Sequence, residues 1–423
     1  RAAEDSYGRS VLTISNENRI KHMKKEIEDL KKKLKKDREQ LQKVSGRQVN
    51  LDLQQKPAPE FPVNSKFSLD NRVAAYVLTV ELQSSIDLII LRSPVVLDLV
   101  ETDTGSSVLS VTPPQLLQQC AGGAVSGNDD LGKFVAVFRC QSQEKRIILT
   151  LRTNEGEFGD VHITIVADTS PKAAKIIKYE LKPLSLHTKV YSFSKEEQDR
   201  PRNVMKYTGT VQLGTLHDWV QSIFPDVPPR LDEGVLDQIY FFRNTFSSAT
   251  TIVEFRKNEI TFQSENASTI AIIKENITRL ANYRRISLQE TVTPVDASIP
   301  SFLNLIRPKL DFQFSLAHKM EIVDAVQEIA MMDNAGGTSS NEWMSEEYKE
   351  ILRDQELIRQ QFKGRDKSMQ YLSGILTDLF ADWNKLHGVD ARQQLPALQD
   401  KINAADIDGV LAAFQSVSGQ KRK

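Results

Sequence analysis

The sequence predicts a multidomain α+β protein. It orders an N-terminal coiled-coil helix, an immunoglobulin-like β-sandwich, an α/β platform, and a C-terminal α-helical hairpin with a helical cap. Three patterns predict this order. A heptad repeat runs from Ile20 to Val44, short alternating stretches fill residues 66–187 with no helix between them, and helical periodicity dominates after Ile299.

The heptad comes first. Ile20, Met23, Ile27, Leu30, Leu34, Leu41 and Val44 stand at alternating spacings of three and four, interrupted only by Asp37. That places them at core positions a and d of a coiled coil over residues 16–46. Residues 1–15 are a mixed remnant, and Ser45-Gly46 with Pro57, Pro59 and Pro62 marks a linker over 47–65.

The flanking charges choose the partner. With Ile20 at a, the e positions are Lys24, Lys31 and Arg38, and the g positions are Arg19, Glu26, Lys33 and Gln40. A parallel homodimer would set Arg19 against Lys24 and Lys33 against Arg38, leaving only Glu26 against Lys31 attractive. Like-charge pairs disfavour the self-complex. The expected partner is a different chain, acidic at its own e and g positions, with a basic residue to meet Asp37. The lysine run Lys31–Lys36 lacks the interleaved aromatics of a nucleic-acid site.

Residues 66–187 read as strands at Val73–Leu82, Ile86–Leu91, Val95–Val100, Phe134–Phe138, Ile147–Leu151, Val161–Val166 and Ile176–Leu181. Seven strands in one run without a helix indicate a sandwich. Residues 188–297 mix types: strands at Val204–Val211, Ile239–Phe242, Thr251–Phe255, Ile260–Gln263 and Ile286–Val292, with helices at Leu216–Ile223 and Ser268–Tyr283. Helices then run Leu303–Met332, with Pro308 expected to break or kink the start, then Glu342–Phe362, Ser368–Leu386, and one or two within Asp390–Val417. The hairpin is assigned to 298–365 and the cap to 366–423.

Composition narrows the function classes. A net charge of −1 supplies no global field for nucleic acid or a membrane surface. Two cysteines, Cys120 and Cys140, make no disulfide framework and suit a reducing compartment. The chain begins without Met or a signal-peptide hydrophobic region, so it reads as a fragment of something longer. The sequons Asn266-Ala-Ser268 and Asn276-Ile-Thr278 then read as chance. Six scattered histidines show no metal-ligand spacing. Gly127-Asn-Asp-Asp-Leu-Gly132-Lys133 matches a phosphate loop only up to its lysine, because Phe134 stands where Ser or Thr would hold magnesium. No enzyme chemistry, cofactor or metal is expected. His217 and Asp218, adjacent on a helix, do not face each other, and Trp219 reads as a core or groove aromatic.

The order of coiled coil, sandwich and small platform resembles the appendage, or ear, of clathrin adaptors. More specifically, the chain resembles the C-terminal portion of the Bardet–Biedl syndrome protein seven family, subunits of the BBSome. The likeness rests on Lys182-Pro-Leu-Ser-Leu-His187, Asp199-Arg-Pro201, His217 with Trp219-Val220, and Asn244-Thr-Phe246. It continues through Ser264, Asn266 and Ser268-Thr-Ile270, Pro308-Lys-Leu310 and Thr377-Asp-Leu-Phe380. The resemblance implies a preceding β-propeller and a coat-like complex that carries ciliary membrane-protein cargo, recruited to membranes by an Arf-like GTPase. It implies pairing with sister subunit two through coiled coils and contact with subunit nine. It places the complex in the cytoplasm and at the cilium, basal body and ciliary membrane. By analogy with adaptor ears, Trp219 is the candidate for a peptide groove. The other reading is a stand-alone peptide-binding appendage that recruits accessory proteins in vesicle transport.

Overall fold

The computed structural model describes residues 20–37, 60–103, 108–112, 134–141, 143–169, 172–231, 234, 236–335, 345–404 and 406–420. The chain divides into two units, Arg1–Ala58 and Pro59–Lys423. In the first, residues 20–37 form helix α1. Leu41, Val44 and Arg38 of the heptad lie outside the described residues, as do Cys120 and the Gly127–Lys133 segment.

The second unit opens with nine strands, β1 (Val63–Asp70), β2 (Ala75–Leu82), β3 (Ile86–Ser93), β4 (Leu97–Asp103), β5 (Val108–Val111), β6 (Phe134–Arg139), β7 (Arg146–Thr153), β8 (Gly159–Ala167) and β9 (Ala173–Leu181). They form two antiparallel sheets, ordered β1-β2-β7-β4 and β5-β6-β3-β8-β9. Strict alternation makes the core. Leu78, Val80, Ile147 and Leu149 of one sheet and Ile89, Leu91, Ile163 and Ile165 of the other are fully buried in one cluster. Each contributes about 1.5–3 kcal/mol by leaving water.

Two strands of the sandwich were not anticipated. β1 begins inside the expected 47–65 linker, one residue after Pro62, and pairs with β2 along its whole length. Its Phe67 stacks on Tyr76 at 4.6 Å and on Tyr179 at 4.9 Å, which fixes the edge. β5 is only four residues long, too short for alternation to be read.

The platform follows: β10 (His187–Val190), α2 (Lys195–Gln198), β11 (Asn203–Gly209), α3 (Leu213–Ile223), β12 (Asp237–Asn244), β13 (Thr250–Arg256), β14 (Glu259–Ser264), α4 (Ala267–Arg284) and β15 (Leu288–Thr293). Its six strands lie in the order β10-β12-β13-β14-β11-β15. Met205, Tyr240, Phe242, Val253, Phe255 and Phe262 on the sheet share one buried cluster with Trp219, Val220 and Ile223 of α3 and Ile270, Ile273 and Ile277 of α4. The Asn266 side chain caps α4 by accepting from the Ser268 amide, and Arg285 ends the helix at φ 55°.

Six helices complete the unit: α5 (Ser298–Ala335), α6 (Glu346–Arg353), α7 (Gln355–Lys363), α8 (Arg365–His387), α9 (Leu395–Asn403) and α10 (Ile407–Gln420). Gln355 meets Gln327, Arg359 meets Asp324, and Arg365 reaches the Gln313 carbonyl. Rising numbers on one side against falling numbers on the other make the pair antiparallel.

The expected break at Pro308 does not occur, since α5 is helical from Ser298 through it. An interior proline costs about 3 kcal/mol. Here Phe302, Leu303, Ile306 and Leu310, flanking it on both sides, are 5% exposed or less, so packing holds the turn. The single helix expected at Glu342–Phe362 is instead two, parted at Asp354.

Candidate partner-binding surfaces

α1 spans about 27 Å at 1.5 Å per residue. Its heptad core positions lie on one stripe, and Ile20, Met23, Ile27, Leu30 and Leu34 are 47–60% exposed. Lys24, Lys31, Lys33 and Asp37 flank or interrupt that stripe, all exposed. Glu28 with Lys32 and Asp29 with Lys33 stand four apart in the favourable order, which supports the helix from its outer face. The helix carries eight lysines against four acids, so a partner laid along it meets a positive surface.

Trp219 is placed differently from a groove residue. It is 1% exposed inside the platform cluster. Of the two roles expected for Trp219, core or groove, the structure gives the core one. Its neighbours are used structurally as well. His217 Nε2 lies 2.9 Å from the Pro228 carbonyl, and Asp218 pairs with Arg284 at 3.2 Å. Both sequon asparagines are buried: Asn266 caps α4, and Asn276 Nδ2 donates to the Ile272 carbonyl at 2.8 Å. Neither amide is open to a glycosyl donor.

Sandwich, platform and helices meet at a joint built from buried and half-buried polar groups that no spacing rule in the sequence announced. Lys182 Nζ donates to the Gln221 and Phe224 carbonyls at 2.6 and 3.2 Å, setting a cation on the C-terminal end of α3. Glu155 sits 2.8 Å from His187 Nδ1, and the Tyr76 hydroxyl donates to the Ser185 carbonyl at 2.6 Å. Arg152 donates to the Ala74 and Val73 carbonyls and lies over the Tyr371 ring at 4.8 Å. Lys309 Nζ stands 4.7 Å from the Phe246 ring centre. Burial and the Arg152 charge lower the Lys309 pKa.

The joint borders a partly open cavity of about 140 Å³ lined by Glu155, Phe246, Asn266, Tyr371, Asp378 and Asp382 among others. Burial raises the pKa of both aspartates, Asp382 to about 6. Lys367 donates to the Leu99 carbonyl at 2.9 Å, tying α8 to the sandwich. Among the described residues no group of three His, Cys, Asp or Glu is placed to hold a metal ion, and no helix is long and apolar enough to cross a membrane.

Three family models match in sequence order: the BBS7 GAE domain over residues 59–179, the BBS7 platform domain over 187–292 and the BBS7 hairpin over 296–414. The mouse BBSome complex member BBS7 is 30% identical over 405 residues, 96% of this chain and 53% of the mouse protein. The BBSome complex member bbs-7 of Caenorhabditis elegans is 22% identical over 385 residues, 91% of this chain and 51% of the worm protein. The chain thus spans about half the length of the curated relatives it matches. Three domain models of one family thus follow one another along this chain, and with the mouse relative they show that the chain belongs to the BBS7 family.

Proposed function

We propose that this chain is a non-enzymatic assembly subunit of a BBSome-type complex, in which α1 pairs with a different, acidic helix while the joined body presents further surfaces. Membership is supported by the two relatives, both named as BBSome complex members. The observation that carries the pairing is the exposed a/d stripe of α1 between lysines at e and g. Sister subunit two is the proposed coiled-coil partner and subunit nine a second contact. An Arf-like GTPase acts on the assembled coat, which carries membrane-protein cargo to and from cilia as a peripheral complex. The stand-alone peptide-binding appendage is less favoured, because Trp219, the groove candidate, lies in the platform core.

Purification of the full-length protein from cells, with its stoichiometric companions identified, tests this. The expected result is a companion whose coiled-coil segment is acidic at e and g and which is lost from Ile27→Asp/Leu34→Asp. A well-behaved monomer with no stoichiometric companion would overturn it.

A further inference from the structure

We infer that the outer face of the five-stranded sheet is a docking surface for a second polypeptide, a segment that carries aliphatic side chains beside a short acidic cluster. Residues opposite one another in neighbouring antiparallel strands share a face. In β3, β6 and β8 one alternate set, Ile89, Leu91, Phe138, Ile163 and Ile165, is fully buried in the sandwich core. The other set points away from that core. There Ile90 lies opposite Val137 on one side and Thr164 on the other, and Thr164 in turn faces Ile176 of β9. Leu88 lies opposite Val166. Antiparallel sheets ordinarily alternate apolar inside with polar outside. These strands are aliphatic on both faces, and Ile176 on the edge strand is 62% exposed. Among the described residues no helix makes an extensive contact with β3, β6, β8 or β9.

Charge defines what fits. One step along the strands from the aliphatic row, Arg92, His162 and Lys178 stand side by side on three adjacent strands. Arg92 and Lys178 thus set two fixed positive charges on either side of His162 on one face. Among the described residues none of the three has a hydrogen bond or ion pair within the chain. The next row is acidic, Asp160 opposite Glu180. A partner must therefore set its aliphatic side chains over Ile90, Val137 and Ile176 and its carboxylates on the single basic row. A uniformly acidic surface would meet Asp160 and Glu180 and be repelled. The face thus reads a register of apolar then acidic side chains.

The test uses the full-length protein purified with its companions. A photo-cross-linking amino acid is placed at Val137, and at Lys66 on the opposite sheet as control. The expected product joins Val137 to another polypeptide, at a segment holding aliphatic residues next to Asp or Glu, with none from Lys66. Arg92→Glu/Lys178→Glu is expected to lower the yield at least tenfold with an unchanged melting curve. Ile176→Glu, at an exposed edge position, is expected to do the same and does not depend on the basic row. Cross-links only to this chain or a second copy, a partner segment without carboxylates, or yields unmoved by both variants would overturn the inference.

Discussion

Two helices of this chain show the same sequence signal and meet different fates. α1 and α8 both carry a large apolar residue every third or fourth position. In α8, Leu372, Leu376, Leu379, Phe380 and Trp383 are 2% exposed or less, packed against α5, α9 and α10. In α1, Ile20 to Leu34 are about half exposed. The stripes differ in width and edging. α8 adds aromatics beside its leucines and spans a broad face, as a helix set into a globular core does. α1 has a seam two positions wide, edged by lysine, as a coiled-coil strand does. Periodicity therefore tells which face of a helix is buried. The width and the charges at its edge tell against what.

The largest expected effect breaks the α8 side of this comparison. Trp383 is 1% exposed within the cluster of α5, α8, α9 and α10. Trp383→Ala should cost about 3–5 kcal/mol, from lost transfer energy and the cavity left behind. Hydrogen exchange of the helical layer would show this as lost protection. Leu30→Ala, on the exposed seam, should leave that protection unchanged.

Second comes the α1 side. Ile27→Asp/Leu34→Asp puts two carboxylates at core a positions, and assembly with the partner chain should weaken at least a hundredfold. Each charge placed in a desolvated seam costs more than about 1.4 kcal/mol, the equivalent of tenfold. Pull-down against the melting curve of the Pro59–Lys423 unit separates the effects, since only assembly should change.

A third sharpens what burial does in the body. Asp382, on α8, has its pKa raised to about 6 by burial, with the Asp378 and Glu275 charges adding to the rise. The folded state then holds its proton where the unfolded chain, near pH 4, has released it. Stability from this group is complete below about pH 4 and falls as pH rises through about 6. Asp382→Asn should flatten that slope and stabilise the protein at neutral pH by about 2 kcal/mol. Thermal melts at pH 4, 5, 6 and 7 measure it. A parallel slope in both proteins would rule Asp382 out as its source.

The same contrast explains what was legible in the sequence. Elements carrying their own pattern were readable: β2 from alternation, β3, β6, β7 and β8 from short apolar runs, and α4 and α8 from apolar stripes. What failed depended on distant partners. β1 follows three prolines, and its residues become a strand because β2 offers a ladder from Val63 to Asp70. Pro308 stays helical because residues on either side of it are buried by other helices. The joint of Arg152, Lys182, Glu155 and Lys309 draws on positions far apart in the chain, and no periodicity marks those four residues, although Lys182 and Lys309 stand in motifs that carry the family resemblance. Trp219 was visible as an aromatic on a helix, but whether its ring faces core or groove is decided by the sheet beneath it.

The smallest effect tests whether charge, rather than the seam itself, selects the partner of α1. In a parallel self-dimer Arg19 would face Lys24 and Lys33 would face Arg38, each contact occurring twice by symmetry. Lys24→Glu/Lys33→Glu turns all four contacts from repulsive to attractive. At about 0.3–0.5 kcal/mol for each attraction gained, with four repulsions of similar size removed besides, together they should strengthen self-association by more than about tenfold. Sedimentation of the full chain should then show dimer appearing at concentrations where the unaltered protein is monomeric. The gain should shrink in about 1 M salt, where the screening length falls to about 3 Å. The same two changes should weaken binding to an acidic partner by a smaller factor, since only two contacts reverse there, because the lysines that repel a second copy are the ones that attract the foreign helix. If self-association rises while partner binding is untouched, the lysines exclude but do not select, and the choice of partner lies with Asp37 and the core positions.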